Sequence, residues 1–304
     1  MTLDAMTRKS SRWPAPDAVL ALLKPITWFP PMWAYACGAV SSGAMTAERW
    51  PYLALGVLLA GPLLCGTSQA VNDWFDRHVD AINEPDRVIP SGRMPGMWGL
   101  WIAIGNSVLS LIVAWFLGPW VLAAATVGLA LAWAYSAPPF RLKQNGWFGN
   151  GAVGFSYETL PWITAAAAAL GTLPDMRLML VALLYGIGAH GIMTINDFKS
   201  MEGDRQMGVR SLPVQLGAGL AAKVTGLVML GSQVIVAAFI WNWGAIFSGL
   251  MIAALVAAQL VAIRRFLADP VRHAVWYSAI GVGLYVTGMM IAAFALRHGL
   301  TPGV

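Results

Sequence analysis

Residues 72–80, "NDWFDRHVD", place Asp73, Asp76 and Asp80 behind Asn72; residues 196–204, "NDFKSMEGD", repeat the Asn-Asp start at Asn196 and carry Asp197, Glu202 and Asp204. On a helix the first three aspartates stand at i, i+3 and i+7 and share one face. Carboxylates so arranged repel one another unless cations lie between them. A hard divalent ion answers that need, and Mg²⁺ binds through one or two carboxylates together with phosphate oxygens. The second segment repeats the seven-residue separation with Asp197 and Asp204, although Gly203 weakens a regular helix there. Of the 14 acids in the chain, six fall in these two stretches (Asp73, Asp76, Asp80, Asp197, Glu202, Asp204) and two more, Glu84 and Asp86, follow just after the first, interleaved with Arg and Lys. Solvated acidic loops would need neither the matching starts nor the bases. A metal-bound diphosphate needs both.

The elements that must hold these residues are apolar. The chain has 304 residues, 58% hydrophobic and 11% charged, with a mean hydropathy of +0.64; a soluble domain carries about 25% charged residues. The pattern predicts an all-α, polytopic membrane protein. Nine windows are long enough to cross a bilayer, at about 26–43, 51–71, 97–117, 119–138, 148–169, 178–196, 219–240, 244–263 and 274–296. "DAVLALLK" at 17–24 reads as a short interfacial helix broken by Pro25, so residues 1–25 form a tail and 26–304 one transmembrane domain.

With the N-terminus in the cytoplasm, 16 of the 19 Lys and Arg lie on that side, leaving Arg49, Arg177 and Arg297 opposite. Four crossings separate the two acidic segments, so both face the cytoplasm. Their starts lie 124 residues apart, consistent with an approximate internal repeat. No cleavable apolar leader is visible around "RKSSRWPAPD", nor a Ser/Arg-rich transit peptide, which points to a bacterial inner or intracytoplasmic membrane. Cys37 and Cys65 sit in apolar stretches without metal-ligand spacing and read as buried thiols. No nucleic-acid partner is expected.

A diphosphate handled at a membrane implies one with a lipid tail, and an isoprenoid diphosphate fits. Its head would sit at the acidic loops and its chain between helices. The aromatic residues read as interfacial belts and core, and none is assigned a catalytic role.

These residues carry a resemblance. "NDWFDRHVDAINEPDRVIPSGR" and "NDFKSMEGDRQMGVRSLPV" resemble the two Asp-rich motifs of the UbiA superfamily of intramembrane prenyltransferases. "DAINEPDRVIPSG", "YSAPPFRLKQNGWFGN" and "INDFKSMEGDR…SLPV" are similar to its chlorophyll and bacteriochlorophyll synthase branch. The resemblance implies about nine helices around a central cavity, and Mg²⁺-dependent transfer of a geranylgeranyl or phytyl group from its diphosphate to the 17-propionate of a chlorophyllide. It places Asp73, Asp76 and Asp197 as catalytic, and Asp73, Asp76, Asp80, Asp197, Glu202 and Asp204 as ligands of two Mg²⁺. Asn72, Arg87, Arg141, Lys143, Asn196 and Lys199 fall at the diphosphate. One position departs: Ser200 stands where many members have a further Asp. A propionate is already ionised near neutral pH, so no general base is required. Without a transit peptide the expected acceptor is bacteriochlorophyllide rather than chlorophyllide.

Two single residues, Glu158 and His190, have two readings each. Glu158, an acid inside a span, faces a pigment pocket or is a hydrogen-bonded structural group. His190 is a ligand for the pigment's central Mg²⁺ or a buried core histidine, the latter favoured. His78 reads as an exposed loop residue. The competing functions are a prenyltransferase acting on a quinone or haem precursor, against which "YSAPPFRLKQNGW" and "SLPV" speak, and a cation-coupled transporter. A transporter would keep its acids near the bilayer midplane.

Overall fold

The computed structural model describes residues 13–44, 46 and 48–297. Arg8, Lys9 and Arg12 of the basic tail, and positions 298–304, lie outside the described residues. Pro16 opens helix α1 (Pro16–Leu23), where a missing N–H is no loss because first-turn amides have no helical acceptor. The helix stops at Lys24, whose φ is +48°. A 3₁₀ turn (Pro25–Thr27) then leads into α2 (Phe29–Ser41), with two prolines in its first turn.

The next segment is one 34-residue helix, Trp50–Asn83, made of α3 (Trp50–Leu58), a π turn (Leu59–Cys65) and α4 (Gly66–Asn83). The π turn accommodates Pro62, which lacks the donor that an α-helical interior requires. Helices α5 (Trp98–Leu117) and α6 (Pro119–Ser136) meet at Gly118, whose φ of +112° suits a residue without a side chain. A second interrupted helix follows: α7 (Gly146–Gly154), a π turn (Phe155–Thr159) and α8 (Leu160–Leu170). Asp175 caps α9 (Met176–Asp197) by accepting a hydrogen bond from the Leu178 amide at 2.9 Å. Short α10 (Met201–Gln206) and α11 (Leu212–Leu216) precede the long α12 (Ala218–Asn242), α13 (Ile246–Ala268) and α14 (Pro270–Arg297).

Among the described residues, seven helices are long and apolar enough to cross a membrane: Trp50–Asn83, α5, α6, α9, α12, α13 and α14. The other two expected windows, 26–43 and 148–169, fall on α2 and on the interrupted α7–α8 segment. Prolines at 25, 30 and 31 confine the first to 13 helical residues, and the π turn divides the second.

The helices close into a bundle. α9 packs on α12, α12 on α13, and α13 on α14, while α14 returns to α2 and α9. On the other flank α4 packs on α5 and α5 on α6, with α8 between α6 and α2. Small residues allow close approach, as in membrane bundles. A Cβ at Gly188 would come within 1.9 Å of Tyr285 Oη, and one at Gly154 within 2.4 Å of the Gly186 carbonyl. Large apolar side chains such as Phe116, Leu227, Phe247 and Val261 point outward, as a lipid-facing surface requires.

Candidate active site

Helix α4 runs past the apolar window to Asn83, so Asp73, Asp76 and Asp80 stand along one unbroken helix. Each has a basic partner. Buried Asp73 accepts from Lys24 Nζ at 2.6 Å and lies 3.5 Å from Arg87 Nη1. Buried Asp80 is 3.0 Å from the same Arg87 nitrogen, and Glu84 pairs with Arg87 Nε. Asp76 pairs with Lys143 and lies 3.5 Å from Arg141. Asn72 donates to Asp76 at 3.1 Å and to Ser136 at 3.2 Å, tying α4 to the end of α6. Burial pulls the Lys143 ammonium below its ordinary range, with Asp76 opposing that shift. For Arg87 burial acts in the same sense, but Glu84, Asp80 and Asp73 outweigh it and hold the guanidinium above its usual value.

The second segment is built differently. Asp197 is the last residue of α9, and the chain breaks at 198–200 before α10. Buried Asn150 of α7 donates to Asp197 at 3.0 Å and to Thr194 at 3.2 Å. Asp204 accepts from Ser200 at 3.1 Å, so the serine at the departing position bonds one of the acids. Glu202 is exposed and engages Arg205 and Gln206, each at 3.0 Å. Asn196 is half-buried and Lys199 exposed.

Both segments lie at one end of the bundle. Asn83 Nδ2 approaches Met207 Sδ at 3.2 Å, the Gly146 amide donates to the Arg210 carbonyl at 2.8 Å, and the Arg210 amide donates to the Gln144 carbonyl at 2.9 Å. Tyr135, at the end of α6, lies within electrostatic reach of Asp76, Asp197 and Asp204. Among the described residues no three Asp, Glu, His or Cys side chains converge as a ready-made metal cage. The facing groups are carboxylate, amide and hydroxyl oxygens, a hard donor set. That chemistry fits Mg²⁺, which takes one or two carboxylates and completes its shell with phosphate and water.

Below this mouth an apolar cavity follows α6. Val121, Ala125, Gly128, Ala132 and Tyr135 line it at helical spacing, and the 14 positions from Tyr135 to Val121 span about 21 Å. Ser68 and Cys65 of the continuous helix, and Tyr157 of the second π turn, complete its neck. Tyr157 Oη lies 3.2 Å from Cys65 Sγ and accepts from Gln69 at 3.3 Å.

Sequence reasoning missed two members of this arrangement. Lys24 counted only as a topological charge, and Asn150 was one amide in an apolar run; neither carries a signal in its local spacing. Of the residues weighed singly, Glu158 is buried with Oε2 unpartnered, and it lies within electrostatic reach of Cys37 and Tyr285, off the cavity wall. His190 is packed against Trp147 at 5.6 Å between α9 and α7. His78 is exposed, on α4 rather than on a loop.

Comparison with known proteins follows the same lines. Residues 27–282 match the pattern of the UbiA prenyltransferase family. The chain is 56% identical over 284 residues to the bacteriochlorophyll synthase 33 kDa chain of Cereibacter sphaeroides, covering 93% of this chain and 94% of that one. It is 40% identical over 290 residues to the chloroplastic chlorophyll synthase of Arabidopsis thaliana, covering 92% of this chain and 74% of the other. The fold is shared with a UbiA homolog from Archaeoglobus fulgidus bound to GPP and Mg²⁺, with a TM-score of 0.61, 18% identity, and coverage of 93% and 99%.

Proposed function

The chain belongs to the UbiA prenyltransferase family, and from that premise we propose that it transfers a geranylgeranyl or phytyl group from its diphosphate to the 17-propionate of bacteriochlorophyllide, giving bacteriochlorophyll. The observation that carries the reading is the junction at Tyr135, where a mouth of paired acids and bases opens onto an apolar cavity. The 56% identity to a bacteriochlorophyll synthase supports the acceptor, and the Mg²⁺ and GPP of the Archaeoglobus homolog support the metal and the donor class.

In this reading Asp73, Asp76 and Asp80 on α4, with Asp197, Asp204 and Glu202, would hold two Mg²⁺, which would supply positive charge to the leaving diphosphate. Arg87, Arg141 and Lys143 grip its oxygens through charge-assisted hydrogen bonds, with Lys199, Asn72 and Asn196 at the rim. The bond between the allylic C1 and the diphosphate oxygen breaks, and a propionate oxygen forms the new bond to C1. The propionate arrives ionised, so no residue need remove a proton. The apolar walls keep water from the allylic cation and its chain. A cation-coupled transporter is disfavoured because the acids lie at one mouth and not midway through the bundle. The 16-to-3 basic asymmetry supports a cytoplasmic mouth, with the N-terminus and both acidic loops on that side.

The test is competition between bacteriochlorophyllide and chlorophyllide for limiting enzyme in sealed vesicles supplied with external geranylgeranyl diphosphate. The expected result is a higher kcat/KM for bacteriochlorophyllide, by about 10- to 200-fold at most because only pocket shape discriminates, and turnover in inside-out vesicles alone. Preference for chlorophyllide overturns the acceptor, turnover in right-side-out vesicles overturns the orientation, and no prenyl transfer overturns the reaction.

A further inference from the structure

The apolar cavity does not end at the wall of the bundle. A second cavity begins where it stops: on three helices its wall continues from the first by a single helical turn, and the α5–α6 hairpin carries a fourth wall across. On α2 the step is from Tyr35 to Ala39, on α3 from Gly56 to Leu53, and on α8 from Thr164 to Ala168; across Gly118 it is from Val121 to Leu117. Residues three or four apart lie one above the other on a helix, so the two spaces are stacked end to end. The second cavity opens at Arg49 and Tyr52, at the end of the bundle away from the acids.

Tyr35 lines both spaces. It is 5% exposed, and its phenol occupies the room left by the missing side chain of Gly56, where a Cβ would fall 2.1 Å from Tyr35 Oη. The Tyr35–Gly56 pair is thus a partition across an otherwise continuous slot. We propose that Tyr35, seated against Gly56, is the floor of the donor cavity and sets the longest prenyl chain the enzyme accepts. This rests on the prenyl-diphosphate reading of the site and adds to it a determinant of donor length.

The same slot offers an independent control. Gly128 lies half-way along the α6 wall, seven residues or about 10.5 Å from Tyr135. A Cβ at Gly128 would meet only Leu160 Cδ2, at 3.6 Å. A larger side chain there fits its neighbours and fills the cavity, so it raises the floor without disturbing the fold.

The experiment measures kcat/KM for geranyl, farnesyl, geranylgeranyl and geranylfarnesyl diphosphates with bacteriochlorophyllide, using the full-length protein in nanodiscs. In the unaltered enzyme, transfer from geranylgeranyl diphosphate must be seen first; its absence refutes the prenyl-transfer reading, not the floor. Tyr35→Ala should raise the geranylfarnesyl-to-geranylgeranyl ratio about tenfold or more, as one methylene in an apolar pocket is worth about 10-fold at least. Tyr35→Phe should leave the ratio unchanged, because the floor is steric. Gly128→Val should move the ratio the other way, favouring geranyl over geranylgeranyl diphosphate, and it stands as the test by itself if Tyr35→Ala does not fold. Unchanged ratios in Gly128→Val and in a folded Tyr35→Ala, beside an active parent enzyme, overturn the proposal.

Discussion

The two acidic segments begin with the same Asn-Asp pair and share a seven-residue separation between aspartates, yet the fold treats them in opposite ways. The first rides on an uninterrupted helix, and Asp73, Asp76 and Asp80 each meet Lys or Arg inside the protein. The second is broken at 198–200; Asp197 is bonded to a neutral amide, and Asp204 and Glu202 lie on a six-residue helix at the surface. The flanking residues account for the difference. Trp74 and Phe75 continue the amphipathic pattern of α4, and Phe75 packs on the α1–α4–α5 core, whereas the second segment is interrupted by the turn at 198–200 and resumes only as the short α10, in which Gly203 has a low helical preference. One half of the site is therefore rigid and internally charge-compensated, and the other is more open to a cation from outside.

Removing charge from either half tests whether both are needed. Asp73→Asn, Asp76→Asn and Asp197→Asn should each lower turnover by about 10²- to 10³-fold, the loss seen when one preorganised electrostatic contact to a transition state is deleted. Stability should separate the halves. Asp73→Asn strips a carboxylate from its contacts with the half-buried Lys24 and Arg87 and should lower Tm, whereas Asp197→Asn gives Asn150 a neutral amide partner in place of the carboxylate and should leave Tm nearly unchanged. Thermal unfolding in detergent, read beside turnover, checks this. Full activity in any of the three variants, or in excess EDTA, would break the metal reading of both halves.

A smaller effect is expected at Lys24, which locks α1 to the rigid half. Hydrogen bonds to charged groups are worth about 1.5–3 kcal/mol, so Lys24→Met should reduce kcat/KM by about 10- to 100-fold, with partial recovery in Lys24→Arg. If Lys24→Met loses Tm but keeps kcat/KM, the lysine positions α1 and does not serve the donor.

Much of this was readable beforehand. The i, i+3, i+7 spacing was enough to expect Asp73, Asp76 and Asp80 on one helix, but the break in its counterpart falls at 198–200, ahead of the Gly203 where irregularity was expected, and α10 runs through that glycine. Helical windows were harder where proline intervened: 26–43 contracts to α2, and 148–169 contains a π turn before Pro161. Partnerships across long sequence separations were not readable at all. Nothing near Lys24 names Asp73, 49 positions away, and nothing in "NGWFGN" says that Asn150 will reach Asp197. Periodicity reports which face a residue occupies, and only packing decides what meets it.

The smallest predicted effect lies at Gly203, where the difference between the halves is most directly adjusted. A Cβ there meets nothing within 4 Å, and the backbone is helical without a positive φ. Gly203→Ala should therefore stabilise α10 by about 0.5–1 kcal/mol, the usual difference between the two residues in a helix. Hydrogen exchange across residues 201–206 should slow accordingly, by about 2- to 5-fold. If the second segment must shift to bring Asp204 and Glu202 to a bound diphosphate, the stiffened variant should lose a few-fold in kcat while its Tm holds or rises. Glu202→Gln supplies the comparison, since its surface pair with Arg205 contributes only about 0–1 kcal/mol to stability and any loss of turnover would report on the charge itself. Slower exchange with an unchanged kcat would mean that α10 already stands where the reaction needs it, and that the looseness of the second half has no part in turnover.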